Sequence, residues 1–270
     1  MTTLPLFQVD AFTDRIFGGN PAAVCPLETW LGDDVLQAIA SENNLSETAF
    51  FLPSANDGAD MDLRWFTPAI EVDLCGHATL ASAHVLFDHL DWSADVIRFA
   101  TRSGVLSVSR STDGYVMDLP NRQPVPGALS PALRDVFDIA PADYLQDRPG
   151  DGMNMAVFND AQFVRNWTPR LDVIAGLEGD GLIITAPGDI DGVDCVSRYF
   201  APNAGIPEDP VTGSAHCVIA PYWGARLDRD RVLAHQVSAR GGELRCRVHG
   251  DRVDVAGAAR TCIEGAFRYQ

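Results

Sequence analysis

Three short stretches of this chain carry residues able to move a proton or hold an anion. The first is Asn43-Asn44-Leu45-Ser46-Glu47-Thr48-Ala49-Phe50-Phe51, where Glu47 is the only charge between Glu42 and Asp57 and stands at the mouth of an apolar run. Partial withdrawal from water favours the acid form of a carboxyl and suits it to general acid–base work. A solvated glutamate at a helix–strand junction would leave the same trace in sequence. The second stretch is Cys75-Gly76-His77-Ala78-Thr79, with His77 placed at a helix start. Unpaired backbone N–H groups there bind carboxylate or phosphate, and the local dipole is expected to keep the imidazole pKa low. A histidine donating one structural hydrogen bond fits equally. The third, Asp209-Pro210-Val211-Thr212-Gly213-Ser214-Ala215-His216, offers a second helix start with an acid just upstream. Two such starts facing across a cleft would clamp an anionic substrate. Their oriented donors would stabilise charge as a proton leaves the carbon beside a carboxylate.

Cys75 adds a thiol option, since a cysteine beside a helix N-terminus can be a low-pKa thiolate and cofactor-free racemases use thiol pairs. The matching slot in the third stretch is Thr212, and Cys217 lies one turn inside the helix. A two-thiol mechanism is therefore broken, and Cys75 reads best as an inert buried thiol. No metal is expected: His77, His84 and His89 lack H-E-x-x-H or acidic ligand spacing. Nor is Thr212-Gly213-Ser214-Ala215-His216 the G-x-S-x-G elbow of a serine hydrolase.

The elements that must position these residues are duplicated. Leu63-Arg64-Trp65-Phe66-Thr67-Pro68, the Gly76 helix start and the turn Arg102-Ser103-Gly104 recur as Val196-Ser197-Arg198-Tyr199-Phe200-Ala201-Pro202, the Gly213 helix start and Arg240-Gly241-Gly242, offset by about 137 residues. Strands are predicted at 6–12, 22–25, 47–52, 61–66, 96–100, 105–110 and 115–119, with helices at 33–40 and 76–90. Further strands are predicted at 154–158, 180–187 and 252–255. Strands dominate, with one central helix per half, so the class is α+β. The stretch Pro120–Pro131 holds four prolines in twelve residues and reads as the linker between an N-terminal lobe, 1–120, and a C-terminal lobe, 121–270, with the final strands free to cross back.

Composition narrows the function classes. The 270 residues are 46% hydrophobic, enough for two cores, and 37 acidic against 20 basic residues give a formal charge of −17. Such a surface disfavours nucleic acid and anionic membranes as partners. Cys25, Cys75, Cys195, Cys217, Cys246 and Cys262 show no C-x-x-C, which fits free thiols in a reducing cytoplasm. Met1 to Phe7 lacks the pattern of a signal peptide, and no apolar run reaches membrane-spanning length.

Taken in order, Val9-Asp10-Ala11-Phe12-Thr13, Gly18-Gly19-Asn20-Pro21-Ala22-Ala23-Val24, Asn44-Leu45-Ser46-Glu47-Thr48-Ala49-Phe50, Phe66-Thr67-Pro68, Cys75-Gly76-His77-Ala78-Thr79 and Asp209-Pro210-Val211-Thr212-Gly213-Ser214-Ala215 resemble the PhzF-like proteins of phenazine biosynthesis, which share the diaminopimelate epimerase fold. The resemblance implies two pseudo-symmetric lobes, each a curved, mostly antiparallel sheet around a central helix, with the active site in the cleft and often a homodimer. It implies a cofactor-independent isomerase like that of trans-2,3-dihydro-3-hydroxyanthranilate, in which a glutamate takes a proton from C3 and a proton returns to C1. By motif match that glutamate is Glu47. His77, Asp209 and Ser214 bind or orient substrate, and the backbone at Gly76-His77 and Gly213-Ser214 holds its carboxylate. The expected substrate is a small amino or hydroxy acid. The alternatives are an epimerase using Cys75 and a non-catalytic small-molecule-binding protein on the same scaffold.

Overall fold

Alternation in the first residues becomes β1, Thr2–Ala11, in the computed structural model of the protein, which describes residues 2–150 and 152–269. There follow β2 (Asn20–Pro26), α1 (Asp33–Asn43), β3 (Glu47–Pro53), β4 (Met61–Phe66), β5 (Glu71–Val72), α2 (Gly76–Asp88), β6 (Val96–Thr101), β7 (Gly104–Ser111) and β8 (Gly114–Pro120). Pairing along this series runs β1–β2 antiparallel, β2–β3 parallel, β3–β4 and β4–β5 antiparallel, β4–β6 parallel, then β6–β7 and β7–β8 antiparallel. The β6–β7 turn is the expected glycine-marked hairpin, with Thr101 opposite Gly104, whose φ is +95°.

The chain divides into two compact units: the described residues up to Asp118 with those from Ala256 onward, and Leu119–Val255. The second unit contains β9 (Val125–Pro126), α3 (Pro131–Arg134), β10 (Asp143–Gln146), β11 (Met153–Val157), α4 (Ala161–Asn166), α5 (Leu171–Ile174), β12 (Gly181–Pro187), β13 (Cys195–Ala201), β14 (Ile206–Asp209), α6 (Gly213–Leu227), β15 (Arg231–Gln236), β16 (Gly242–His249) and most of β17 (Arg252–Gly257). Here β10–β11 is antiparallel, β11–β12 parallel, β12–β13 and β13–β14 antiparallel, β13–β15 parallel and β15–β16 antiparallel. That is the series of the first unit, so the duplication read in sequence is a duplication of topology.

Several details depart from the sequence reading. The proline-rich stretch after residue 120 is not all linker, because Val125 and Pro126 pair with Gln146 and Leu145. Residues 259–269 form an eleven-residue strand, β18, that was not predicted as a strand, and it pairs antiparallel to β1 in the first unit, the crossing back that the sequence allowed. Most of its side chains are exposed or half-buried, which erased the periodicity that would have announced it. Helices α3 and α4 were not predicted; in the structure the Ser130 and Asp160 side chains cap them, accepting from the backbone N–H groups of Leu133 and Gln162.

Each unit holds one helix that is apolar on all sides. In α2 every residue from Gly76 to Phe87 is buried, and Ala78, Ala81, Ser82 and Ala83 let β1, β2 and β3 approach it closely. Helix α6 packs likewise on β15 and β16. A second shared device flanks each helix. Arg64 on β4 forks onto Glu71 of β5 (Nε–Oε1 2.7 Å, Nη2–Oε2 2.7 Å) and lies 5.1 Å over the Phe66 ring. Arg198 on β13 forks onto Glu208 of β14 (2.7 and 2.8 Å) and lies 4.9 Å over Phe200. Arg198 is the more buried and also donates to the carbonyls of Val164 and Trp167. Arg198→Met should therefore lower urea-denaturation stability by about 3 kcal/mol, whereas Arg64→Met, which leaves no buried carbonyls unpaired, should cost about 1 kcal/mol. Equal small losses would remove this ordering.

Candidate active site

Helix α1 ends at Asn44, whose left-handed φ of 49° turns the chain back so that β3 begins at Glu47. Parallel pairing places Glu47 opposite Ala22, and the side chain lies in the interior with 6% of the residue exposed. His77, second residue of α2, is 4% exposed. Its Nε2 is 3.1 Å from Glu47 Oε2, and its Nδ1 is 3.0 Å from the Asn20 amide and 3.5 Å from Cys75 Sγ. The Nε2–Oε2 approach is close but poorly aligned: both atoms are buried and neither completes a hydrogen bond. One donor atom each from Glu47, Cys75 and His77 falls within 4.8 Å of the others. Thus the structure brings three of the sequence candidates together around one imidazole. Gly76 is the first residue of the same helix, whose Cys75 cap makes no side-chain hydrogen bond to the first-turn N–H groups.

Asn20 is the residue that sequence reasoning quoted in a motif but gave no task. It is fully buried as the first residue of β2, and the turn before it depends on Gly19. With φ of +61°, a side chain at Gly19 would collide with the Ala11 carbonyl. Gly19→Ala is expected to lower thermal stability by at least ~2 kcal/mol, and an unchanged melting temperature would refute the placement.

The electrostatics reverse one expectation. The helix start was predicted to hold the His77 pKa low. Burial does push it down, but the neighbouring Cys75 and Glu47 outweigh burial, and the pKa lies well above 6.5. Burial, reinforced by the Glu47 charge, raises the Cys75 thiol to about 11. Cys75 is then a neutral thiol near pH 7, which leaves the Glu47 carboxylate as the ionised neighbour that draws the His77 pKa up against burial. The low-pKa thiolate considered from sequence is not what this environment produces.

The second unit organises Asp209 and the Gly213 helix start by a different set of contacts. Thr212 Oγ1 donates to Asp209 Oδ2 at 2.5 Å, and the Thr212 N–H donates to Gln236 Oε1 at 2.8 Å. Gln236 Nε2 in turn donates to the Asp209 carbonyl at 2.6 Å. Gln236, 1% exposed on β15, latches the loop and was missed in sequence. No short-range pattern links it to residues 24 and 27 positions away. Helix α6 opens at Gly213, with Ser214 half-buried and no side-chain cap at Thr212. His216 Nδ1 donates to the Thr212 carbonyl at 2.8 Å, and burial drops its pKa to about 4. His84 and His89, weighed with His77 as metal ligands, instead share the Thr261 hydroxyl at 2.8 and 2.7 Å. All six cysteines are free, and among the described residues no helix is long and apolar enough to cross a membrane.

Comparison with known proteins gives a consistent picture. The phenazine biosynthesis-like protein family, PhzC-PhzF, matches residues 9–265. An uncharacterized isomerase of Pseudomonas aeruginosa is 50% identical over 264 residues, covering 98% of each chain. The crystal structure of a PhzF-family phenazine biosynthesis protein from Enterococcus faecalis superposes with a TM-score of 0.91 at 41% identity, covering 99% of this chain and 100% of that one. A hydroxyproline epimerase from Agrobacterium vitis, with bound trans-4-hydroxy-L-proline, covers 98% of this chain and 92% of its own at a TM-score of 0.65. At 11% identity that likeness is one of fold.

Proposed function

The chain belongs to the phenazine biosynthesis-like PhzC-PhzF family, and from that premise we propose that it is a cofactor-independent isomerase that moves a proton on a small carboxylate-bearing acid, with Glu47 as the acid–base. A single observation carries this reading: the buried Glu47 carboxylate lies 3.1 Å from Nε2 of His77, in a poorly aligned pair whose carboxylate draws the imidazole toward its charged form. A desolvated carboxylate beside a group able to stabilise the developing charge is what C–H abstraction requires.

His77 has a defined part in this chemistry. When Glu47 takes a proton, the buried pair loses its negative charge, and the charge reappears on the substrate carbanion. The His77 cation remains beside it, and the unfilled N–H groups from Gly76 onward add oriented donors. Glu47 then returns the proton to a different carbon as the electron pair shifts through the substrate's unsaturated system. No redox partner is needed, because the electron pair stays on the substrate, and the proton exchanges with solvent while on Glu47 before one is returned to carbon. The roles proposed in the second unit are carboxylate binding by the Gly213 and Ser214 N–H groups and substrate orientation by Asp209. A dihydro-hydroxyanthranilate is one candidate substrate, and related amino and hydroxy acids are others. A reducing, cytoplasmic setting agrees with the six free thiols.

The epimerase alternative is weakened by a thiol held at about 11. Incubation in heavy water with a panel of cyclic and linear amino and hydroxy acids tests both. Carbon-bound deuterium should appear with at least one acid, persist in Cys75→Ala and vanish in Glu47→Gln. Loss in Cys75→Ala would transfer the chemistry to the thiol.

A further inference from the structure

We propose that Glu47, Cys75 and His77 form a binding site for a divalent zinc ion, and that zinc in this site arrests the proton transfer assigned to Glu47. The second half rests on the isomerase reading; the first half does not. Sequence spacing concealed the site, because Glu47 comes from the start of β3 and the other two donors from the start of α2, 28 and 30 residues later. The fold brings a carboxylate oxygen, a thiol sulfur and an imidazole nitrogen within 4.8 Å of one another.

Geometry favours coordination over coincidence. Tetrahedral zinc with bonds of ~2.0–2.3 Å holds its donors ~3.3–3.8 Å apart. The Cys75 Sγ–His77 Nδ1 separation is already 3.5 Å, so the two residues of the Cys-Gly-His turn are spaced as a chelate. Glu47 Oε2 faces the other ring nitrogen, Nε2, and the Asn20 amide lies 3.0 Å from Nδ1, so closing the site requires the Glu47 side chain to swing toward Cys75 and the Asn20 amide to yield. One donor of the cluster, Glu47 Oε2, is buried without a hydrogen bond and stands to gain from a ligand.

The charge count selects the ion. A carboxylate, a thiolate and a neutral imidazole carry two negative charges between them, which a divalent cation cancels inside a buried centre. As the Zn–S and Zn–N bonds form, the thiol proton and the imidazolium proton leave to solvent, and no electron changes hands. Mixed N, S and O donors suit zinc, whereas magnesium and calcium require oxygen shells that this cluster lacks. Three protein donors leave a fourth position for water. With Glu47 and His77 both engaged by metal, neither lone pair nor cation serves the substrate.

Competition of the full-length protein with a chromogenic zinc chelator, in a phosphine reductant, tests the site without turnover. One zinc per chain is expected, with affinity at least tenfold weaker in each of Glu47→Gln, Cys75→Ala and Cys75→Ser, and unmoved by millimolar magnesium. His249→Ala serves as the surface control, since His249 and Asp254 form an exposed pair with Nε2–Oδ1 at 3.0 Å. Circular dichroism verifies that each variant is folded. Absence of zinc uptake, or uptake lost in His249→Ala but kept in the Glu47 and Cys75 variants, overturns the site. Zinc bound as expected, but without effect on an active deuterium exchange, overturns the arrest. Failure of all exchange alongside intact zinc binding removes the isomerase reading while leaving the site.

Discussion

Glu47→Gln should reduce carbon-bound deuterium exchange by about 10³-fold or more while the protein stays folded. Removing a general base costs ~10²–10⁴ in rate, and here one group takes the proton and gives it back, so the loss belongs toward the upper end. Glutamine keeps the shape of the side chain beside His77 but has no basic lone pair. It also removes the charge that opposes burial at His77, so the imidazole becomes neutral, and glutamine's carbonyl can accept from it. That exchange of an ion pair for a neutral contact is why the fold survives. Glu47→Asp offers a graded control. Retracting the carboxylate by one methylene misplaces it by about 1 Å, which costs ~10²-fold, so the rates should rank wild type, Asp, Gln. Unimpaired exchange in Glu47→Gln would end the mechanism, whatever the substrate proves to be.

How far this centre could be read from sequence depended on where each signal resided. Glu47 stood out because a lone charge before Thr48-Ala49-Phe50-Phe51 has no local partner, and β3 indeed buries it. Gly76 and Gly213 were legible because a small residue opening an apolar helix leaves donors unfilled, and neither cap residue's side chain bonds the N–H groups of its helix's first turn. The duplication was legible for the same reason: the Arg–aromatic–Phe strands and helix starts are local patterns, and topology repeats them. What escaped depends on distance. Asn20 meets His77 across 57 residues and Gln236 meets Thr212 across 24, and no periodicity encodes such pairs. The His77 pKa was misread because the helix dipole is local, whereas Glu47, one of the two neighbours that raise it, arrives from a strand 30 residues earlier. Strand β18 was missed because it lies largely exposed along β1, so its hydrophobic pattern carries little information.

Acidification from pH 6.5 toward 4 should destabilise the protein steeply, because two histidines are buried in neutral form. Burial, with His89 and Arg260 nearby and against the opposing pull of Asp88, lowers His84 to about 4, and burial lowers His216 to about 4 as well. In the unfolded chain both return to ~6.5. Between those values the unfolded state binds more protons than the folded one, so stability rises with pH across the window and is lost as pH falls through it. A tenfold difference in proton affinity between the two states is worth ~1.4 kcal/mol, giving on the order of 3 kcal/mol per histidine by pH 4. His77 acts in the opposite sense. Its raised pKa gives stability fully present below ~6.5 and lost as pH climbs through the folded value, so it adds nothing to the acid slope. His216→Asn separates these effects, since its amide can still donate toward the Thr212 carbonyl that His216 Nδ1 now engages. The variant should be somewhat less stable at pH 7 yet lose less on acidification, with the urea midpoint falling about half as steeply between pH 6 and 4.5. Carboxylate protonation would act mainly below that range and would leave the two profiles parallel. Parallel profiles would therefore assign the acid response elsewhere and contradict a neutral imidazole sealed beneath Thr212.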